Sequence, residues 1–252
     1  MQEYGQYLDE MDMDAMYEEL ITNPNIKKKK INARHLLVKV AQTQKESGYP
    51  YIFYKENTNR VHALNGVGKV KFSNLCTEIM QVSEVSEINI YGEEDKIKYG
   101  ISCNLGSLNI ATVMDNKRVK ESVKLAMRAL TMVSDVTDIK MVPSIAKANK
   151  ELHSVGLGAM NLHGYLAKSF IMYESEEALD FANAFFMMMN FYSLEASMEI
   201  ARERKETFVS LKKSSYADGT YFDRYTERDY LPKTDKVKEL FPESTYKTVI
   251  SR

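Results

Sequence analysis

The strongest constraint on the fold of this chain is one long run of helical periodicity. Ser175, with Glu176 and Glu177 in the first turn, opens a helix that carries Leu179, Ala182, Phe185, Phe186, Met189 and Ile200 and closes among Arg202, Arg204 and Lys205. A hydroxyl at the cap, acids in the first turn and bases in the last suit the unpaired backbone groups and the dipole of a helix. Its most apolar part, from Ala178 to Leu194, is interrupted by Asp180, Asn183 and Asn190. It falls short of the roughly 18 to 20 uninterrupted apolar residues that a membrane span requires. The sequence therefore predicts a buried helix, with Met187, Met188 and Met189 as core filling. With 252 residues, 44% hydrophobic and 27% charged, the chain is long enough for a large core, as one domain or part of a larger one.

Charge and cysteine usage narrow the function classes. A net charge of −1, from 34 basic and 35 acidic residues, provides no global field for nucleic acid or an anionic membrane. Recognition must be local. Two cysteines do not make a disulfide scaffold, and no N-terminal segment pairs a basic flank with an apolar run, so a reducing, cytoplasmic setting is expected.

In chain order, Asp9 is a candidate cap for a short helix with Met13, Met16, Tyr17, Leu20 and Ile21, stopped by Asn23-Pro24. Lys27 to Lys30 read as a solvated face. Asn32 caps a second helix with Leu36, Leu37, Val40 and Ala41, ending near Gly48. Tyr49 to Tyr54 is β-branched and aromatic and reads as a strand, as do Glu87 to Tyr91 and Tyr99 to Ser102 on either side of a Gly-Glu-Glu-Asp turn. Val119, Val123, Met127, Leu130 and Val133 are spaced for an amphipathic helix. Pro143 suits the first turn of another, ending near Leu152. Val155-Gly156-Leu157-Gly158 lacks the third glycine of a dinucleotide fingerprint, Asn161 standing in its place, so a closely packed turn before a helix over 159–168 is expected. Beyond Thr207 the chain is polar and tyrosine-rich.

The chemistry gathers between Ser73 and Ile79, where Asn74, Cys76 and Glu78 fall at positions i, i+2 and i+4. On an extended backbone they share a face, whereas on a helix, at about 100° per residue, Cys76 would lie opposite the other two. Extended, the triplet spans about 13 Å at roughly 3.3 Å per residue, so the segment must curve for all three to meet one small substrate. A strand end or loop tip is expected. A thiol between an amide and a carboxyl can be a nucleophile, a metal ligand, a redox centre or a small buried apolar group. No His lies at metal-ligand spacing from Cys76 or Cys103, so no metal site is expected. Nothing local supports pairing Cys76 with His62, His153 or His163 as a protease would.

Together, SNLCTEI and ISCNLGSLN resemble the large, catalytic subunit of class I ribonucleotide reductase, the flanking wording being most like class Ib. KKKINAR, QTQKESGYPYI and VGLGAMNLHGYLAK carry the likeness through most of the chain. The resemblance implies that Cys76 becomes a thiyl radical removing the 3′ hydrogen of a ribonucleotide. Glu78 takes the 3′-hydroxyl proton, Asn74 hydrogen-bonds at the ribose, and Leu75 and Thr77 supply backbone contacts. Cys103 matches one of two cysteines that reduce the radical intermediate and end as a disulfide; its partner in the family comes from an upstream strand.

The implied fold is α/β: a ten-stranded barrel around a finger loop, of which this chain supplies a part. In that frame 1–48 is a helical lead-in, 49–114 strands and finger loop, 115–206 helices and 207–252 an irregular tail. The implied partners are the remaining portions of the large subunit, a dimetal small subunit that generates the radical, a ribonucleoside diphosphate and an external dithiol of the thioredoxin or glutaredoxin kind. No nucleic acid, membrane or bound cofactor is expected. A split or truncated gene product, inactive alone, is expected; the alternative is a non-catalytic fragment that only associates with other reductase polypeptides.

Overall fold

Capping chemistry sets the first helices of this computed structural model, which describes residues 4–6, 8, 10–89, 94–226 and 230–241. Helix α1 (Met13–Thr22) is capped by Asp12, whose carboxylate accepts from the N–H groups of Asp14 and Ala15 at 3.1 and 3.2 Å. Asp9, the expected cap, lies outside the described residues. Lys28 turns back onto the carbonyls of Ile21, at 2.8 Å, and Asn23, so one lysine of the basic run closes the C-terminal end of α1. Helix α2 (Ala33–Ser47) starts and stops as the sequence predicts: Asn32 accepts from His35 N–H at 3.1 Å, and Gly48 ends it with φ +79°. Its apolar side chains are not covered, Leu37 being 67% exposed.

The expected strand at 49–54 is absent. The segment runs without a paired neighbour into α3 (Lys55–Val61). Aromatic and β-branched residues suit a pleated surface, but a strand exists only where a second backbone satisfies its N–H and C=O groups. The strands expected at 87–91 and 99–102 reduce to one antiparallel bridge, Glu87 opposite Lys96, and a contact from Glu84 N–H to Tyr99 O at 2.9 Å. Residues 90–93, which hold the end of the first strand and part of the turn, lie outside the described residues.

The regular sheet forms later. Strand β1 (Leu105–Asn109) leads through α4 (Ile110–Asp115), α5 (Val119–Val136) and α6 (Pro143–Leu152) to β2 (Gly156–Met160), which pairs with it in parallel, Leu105 opposite Gly156 and Asn109 opposite Met160. The glycine-rich stretch expected as a turn is thus a strand. A Cβ on Gly156 would lie 2.5 Å from Leu105 Cδ2, so the Leu105 side chain folds over the space that glycine leaves and would have to move for any larger residue. Helix α7 (Leu162–Lys168) therefore begins later than predicted, after Asn161 in the left-handed region at φ +65°. The described residues make a mixed α/β fold with this two-stranded sheet; they do not close a ten-stranded barrel.

The core lies between α5 and α8 (Glu176–Arg204). Val119, Val123, Met127 and Leu130 are buried as their spacing predicts, while Val133 is exposed. Ser175 caps α8, accepting from Ala178 N–H at 3.2 Å, and the methionine run is buried. The buried face, however, is Phe181, Ala184, Phe185, Met188, Tyr192 and Ala196; Leu179 and Phe186 face outward. Asp180, which interrupts the apolar run, accepts from the N–H groups of Lys233 and Thr234 at 2.9 and 2.8 Å. That anchors α10 (Asp235–Leu240), after α9 (Asp223–Thr226), and seats Phe241 on Phe181 with ring centroids 5.4 Å apart. No helix among the described residues is long and apolar enough to cross a membrane.

Candidate active site

The segment carrying Asn74, Cys76 and Glu78 is the tip of a narrow loop. Its arms are tied by Ser83 N–H to Lys69 O at 3.2 Å and Lys71 N–H to Ser83 Oγ at 3.1 Å. Val70, Ile79 and Val82 are buried and fasten the base. Asn59 clamps the outgoing arm from below, donating to Val70 O and accepting from Val70 N–H, both at 2.8 Å. The tip is a four-residue turn closed by Thr77 N–H to Asn74 O at 3.1 Å, with Thr77 at φ +66°. Threonine adopts that region at a cost of about 1–2 kcal/mol, so its neighbours hold it there.

Those neighbours are visible. Asn74 Oδ1 accepts from Ile79 N–H at 3.1 Å, and Ser73 Oγ donates to Ile79 O at 2.7 Å. The amide of Asn74 therefore braces the tip across the turn. Cys76, Glu78 and Leu75 are left exposed beyond it. The curvature that the i, i+2, i+4 spacing requires comes from this turn.

Cys103 enters from the segment feeding β1, and two polar anchors flank it. On one side the Gln81 carboxamide spans Ser102, its Nε2 donating to Ser102 O at 2.7 Å and its Oε1 accepting from Ser102 N–H at 3.0 Å. On the other, buried Asn104 donates to Asn149 Oδ1 at 2.8 Å; Asn149 in turn accepts from Ser134 Oγ at 3.0 Å and donates to Ser134 O at 2.9 Å.

The cysteines are both free thiols and both exposed as residues. Partial burial of its sulfur pushes the Cys103 thiol up, and the negative charges of Glu78 and then of Cys76 push it further. The two cysteines and the carboxylate thus share one electrostatic neighbourhood, and Cys103 stays protonated at neutral pH. Among the described residues no group of three or more His, Cys, Asp or Glu is arranged to hold a metal ion.

Two residues that anchor the Cys103 segment carry no local signal in the sequence. Gln81 is five positions beyond Cys76, and Asn104 follows Cys103 directly; neither position betrays its hydrogen-bond partner. His62 packs at the loop base against the Met80 backbone, with Nδ1 buried and without a hydrogen-bond partner. Burial holds its pKa down against the Met80 hydrogen bond, which favours the neutral imidazole.

Comparison with known proteins places residues 2–247 on the model of the family described as "Ribonucleotide reductase, barrel domain". The chain is similar to the ribonucleoside-diphosphate reductase subunit alpha of Bacillus subtilis (strain 168), 56% identical over 239 residues that make up 95% of this chain and 34% of that protein. The corresponding subunit of Mycoplasma pneumoniae is 46% identical over 244 residues, 95% of this chain and 33% of that protein. The nrdEB subunit alpha of Bacillus phage SPbeta is 52% identical over 166 residues, 66% of this chain and 15% of that protein. The chain therefore spans about a third of the length of the first two relatives.

Proposed function

Because the chain belongs to the ribonucleotide reductase barrel-domain family, we propose that it is a working part of a ribonucleoside-diphosphate reductase, converting ribonucleotides to 2′-deoxyribonucleotides for DNA synthesis. The observation that carries this reading is the exposed loop tip bearing Asn74, Cys76 and Glu78, tied through Gln81 to the backbone of Ser102 beside the exposed Cys103 thiol.

Each group has a role that its setting supports. Cys76, as a thiyl radical, takes the 3′ hydrogen of the sugar, and Glu78, two residues on and also exposed, takes the 3′-hydroxyl proton. Asn74 uses Oδ1 to brace the loop, and its Nδ2 end donates to a ribose hydroxyl. Leu75 and Thr77 offer backbone contacts. Cys103, kept as a thiol, reduces the intermediate with a second cysteine from the rest of the large subunit, and the 2′-hydroxyl leaves as water. The radical comes from a dimetal small subunit, and thioredoxin or a glutaredoxin-like dithiol, itself oxidised in the exchange, reduces the resulting disulfide back to two thiols in the cytoplasm.

The chain is one barrel segment: 1–48 leads in, 49–114 holds the finger loop, 115–206 the outer helices and 207–252 the tail. Strands from the rest of the large subunit complete a ten-stranded barrel, so this segment by itself is inactive. Uncovered apolar side chains on α2, Leu36, Leu37 and Val38, support that need for partners. The test is to assemble the chain with the remaining large-subunit portions and the small subunit and to assay dithiol-dependent reduction of a ribonucleoside diphosphate. Turnover that Cys76→Ser abolishes supports the proposal. Tight assembly without turnover leaves only an associating scaffold, and turnover unchanged by Cys76→Ser removes Cys76 from the chemistry.

A further inference from the structure

The finger loop and the Cys103 segment approach each other without a backbone ladder; a side chain takes its place. Gln81 presents a donor and an acceptor side by side, and both engage the backbone of Ser102, the residue before Cys103, at 2.7 and 3.0 Å. Ser102 is 4% exposed, so its N–H and C=O depend on protein partners. Gln81 itself sits on the returning arm of the loop, between buried Ile79 and Val82. One carboxamide therefore links the element carrying Cys76 and Glu78 to the element carrying Cys103, across a sequence separation of 21 residues.

We propose that Gln81 is a positioning residue that sets the separation and relative orientation of the Cys76 and Cys103 thiols. It touches neither sulfur and acts through the Ser102 backbone. Its consequence for catalysis, efficient reduction of the sugar intermediate by the second thiol, rests on the reductase reading; its geometric effect does not. Replacement by leucine removes both bonds at similar volume. Replacement by glutamate is more telling. A carboxylate repels Ser102 O, whereas a protonated carboxyl restores both bonds, its O–H donating where Nε2 did and its C=O accepting where Oε1 did.

The chain's two cysteines are both exposed, so nitroxide labels placed on them report their separation by pulsed or dipolar-broadened electron paramagnetic resonance in the full chain, with no substrate and no partner. The wild type is expected to give one narrow distance distribution, unchanged between pH 8 and pH 5. Gln81→Leu is expected to broaden it at least twofold. Gln81→Glu is expected to be broad at pH 8 and to narrow toward wild type at pH 5, because burial and the facing carbonyl raise the pKa of the introduced carboxyl. Circular dichroism at both pH values guards against unfolding, and general loosening of the fold would not be rescued by acid. A distribution in Gln81→Glu that is narrow at both pH values, or equally broad at both while helix content is unchanged, overturns the proposal. In the assembled enzyme, Gln81→Leu is expected to lower kcat about tenfold with KM for the nucleotide within twofold, since the loop tip itself is intact. A raised KM with unchanged kcat assigns Gln81 to substrate binding instead. Absence of turnover in the wild-type assembly would sink the reductase reading and leave the resonance result standing.

Discussion

Replacing Asn149 by leucine tests how far the order around Cys103 depends on the buried amide network. Asn149 is 6% exposed, and it is the hub between Asn104 (7%) and Ser134 (2%). Leucine removes three hydrogen bonds: Asn104 Nδ2 to Asn149 Oδ1, Ser134 Oγ to Asn149 Oδ1, and Asn149 Nδ2 to Ser134 O. The partners left behind decide the magnitude. Asn104 Nδ2 keeps a longer contact to Ser154 O at 3.3 Å, and Ser134 Oγ, on helix α5, can rotate toward a carbonyl one turn back. Ser134 O loses a side-chain donor but stays within a helix. Two buried groups weakened at about 1–2 kcal/mol each, the lower part of the usual range because each keeps a second contact, give a loss of roughly 2–4 kcal/mol. Added apolar surface from leucine offsets about 1 kcal/mol of it, leaving a net loss of about 1–3 kcal/mol. Urea unfolding of the full chain, followed by circular dichroism with the slope held constant, reads this as a lower midpoint. Asn149→Asp keeps the acceptor but buries a charge, so it should be no better than leucine. A midpoint for Asn149→Leu equal to or above that of wild type would refute the account and show that the network contributes no net stability.

Two further outcomes follow from the electrostatics. The Cys103 thiol is raised by burial, then by Glu78, then by Cys76. Glu78→Gln removes a negative charge that opposes the thiolate, so the pH midpoint for alkylation of Cys103, read from its own peptide by mass spectrometry, should move down; an unchanged or higher midpoint contradicts the arrangement. Asp135 is held below its ordinary value chiefly by the Arg204 hydrogen bond, at 3.0 Å from Arg204 Nη1 to Asp135 Oδ1. A carboxyl depressed in the folded state stabilises fully above its unfolded pKa, about 3.9, and that contribution is lost as pH falls through the lower folded value. Arg204→Met should therefore lower stability at pH 7 and flatten its decline below pH 4, measured by thermal unfolding across pH; an acid decline as steep as wild type would exclude this pair as a source.

Local chemistry in the sequence determined the ends of helices and the face of α5. Asn32, Gly48, Pro143 and Ser175 each act within a few residues of themselves, through caps and fixed dihedrals, so their roles can be read one-dimensionally. The bend at Asn74 to Thr77 is legible only conditionally, as the curvature that three groups at alternating positions need if they are to meet one small substrate. Tertiary structure decided whatever needs a second backbone. Tyr49 to Tyr54 has the composition of a strand and no paired neighbour, whereas Gly156 to Met160 has a poor strand composition and becomes one because β1 lies alongside. It also decided which side of α8 is buried: the arc of a helix that sinks into a core depends on what packs against it, and here Phe241 and the tail anchored on Asp180 draw Phe181 inward in place of Leu179. Around the thiols the division is the same. Asn74, Cys76, Glu78 and Cys103 stand out as residue types, but Gln81 joins the two thiol-bearing segments only because folding carries its amide to a backbone distant in sequence, and hydrogen-bond geometry at that range has no local code.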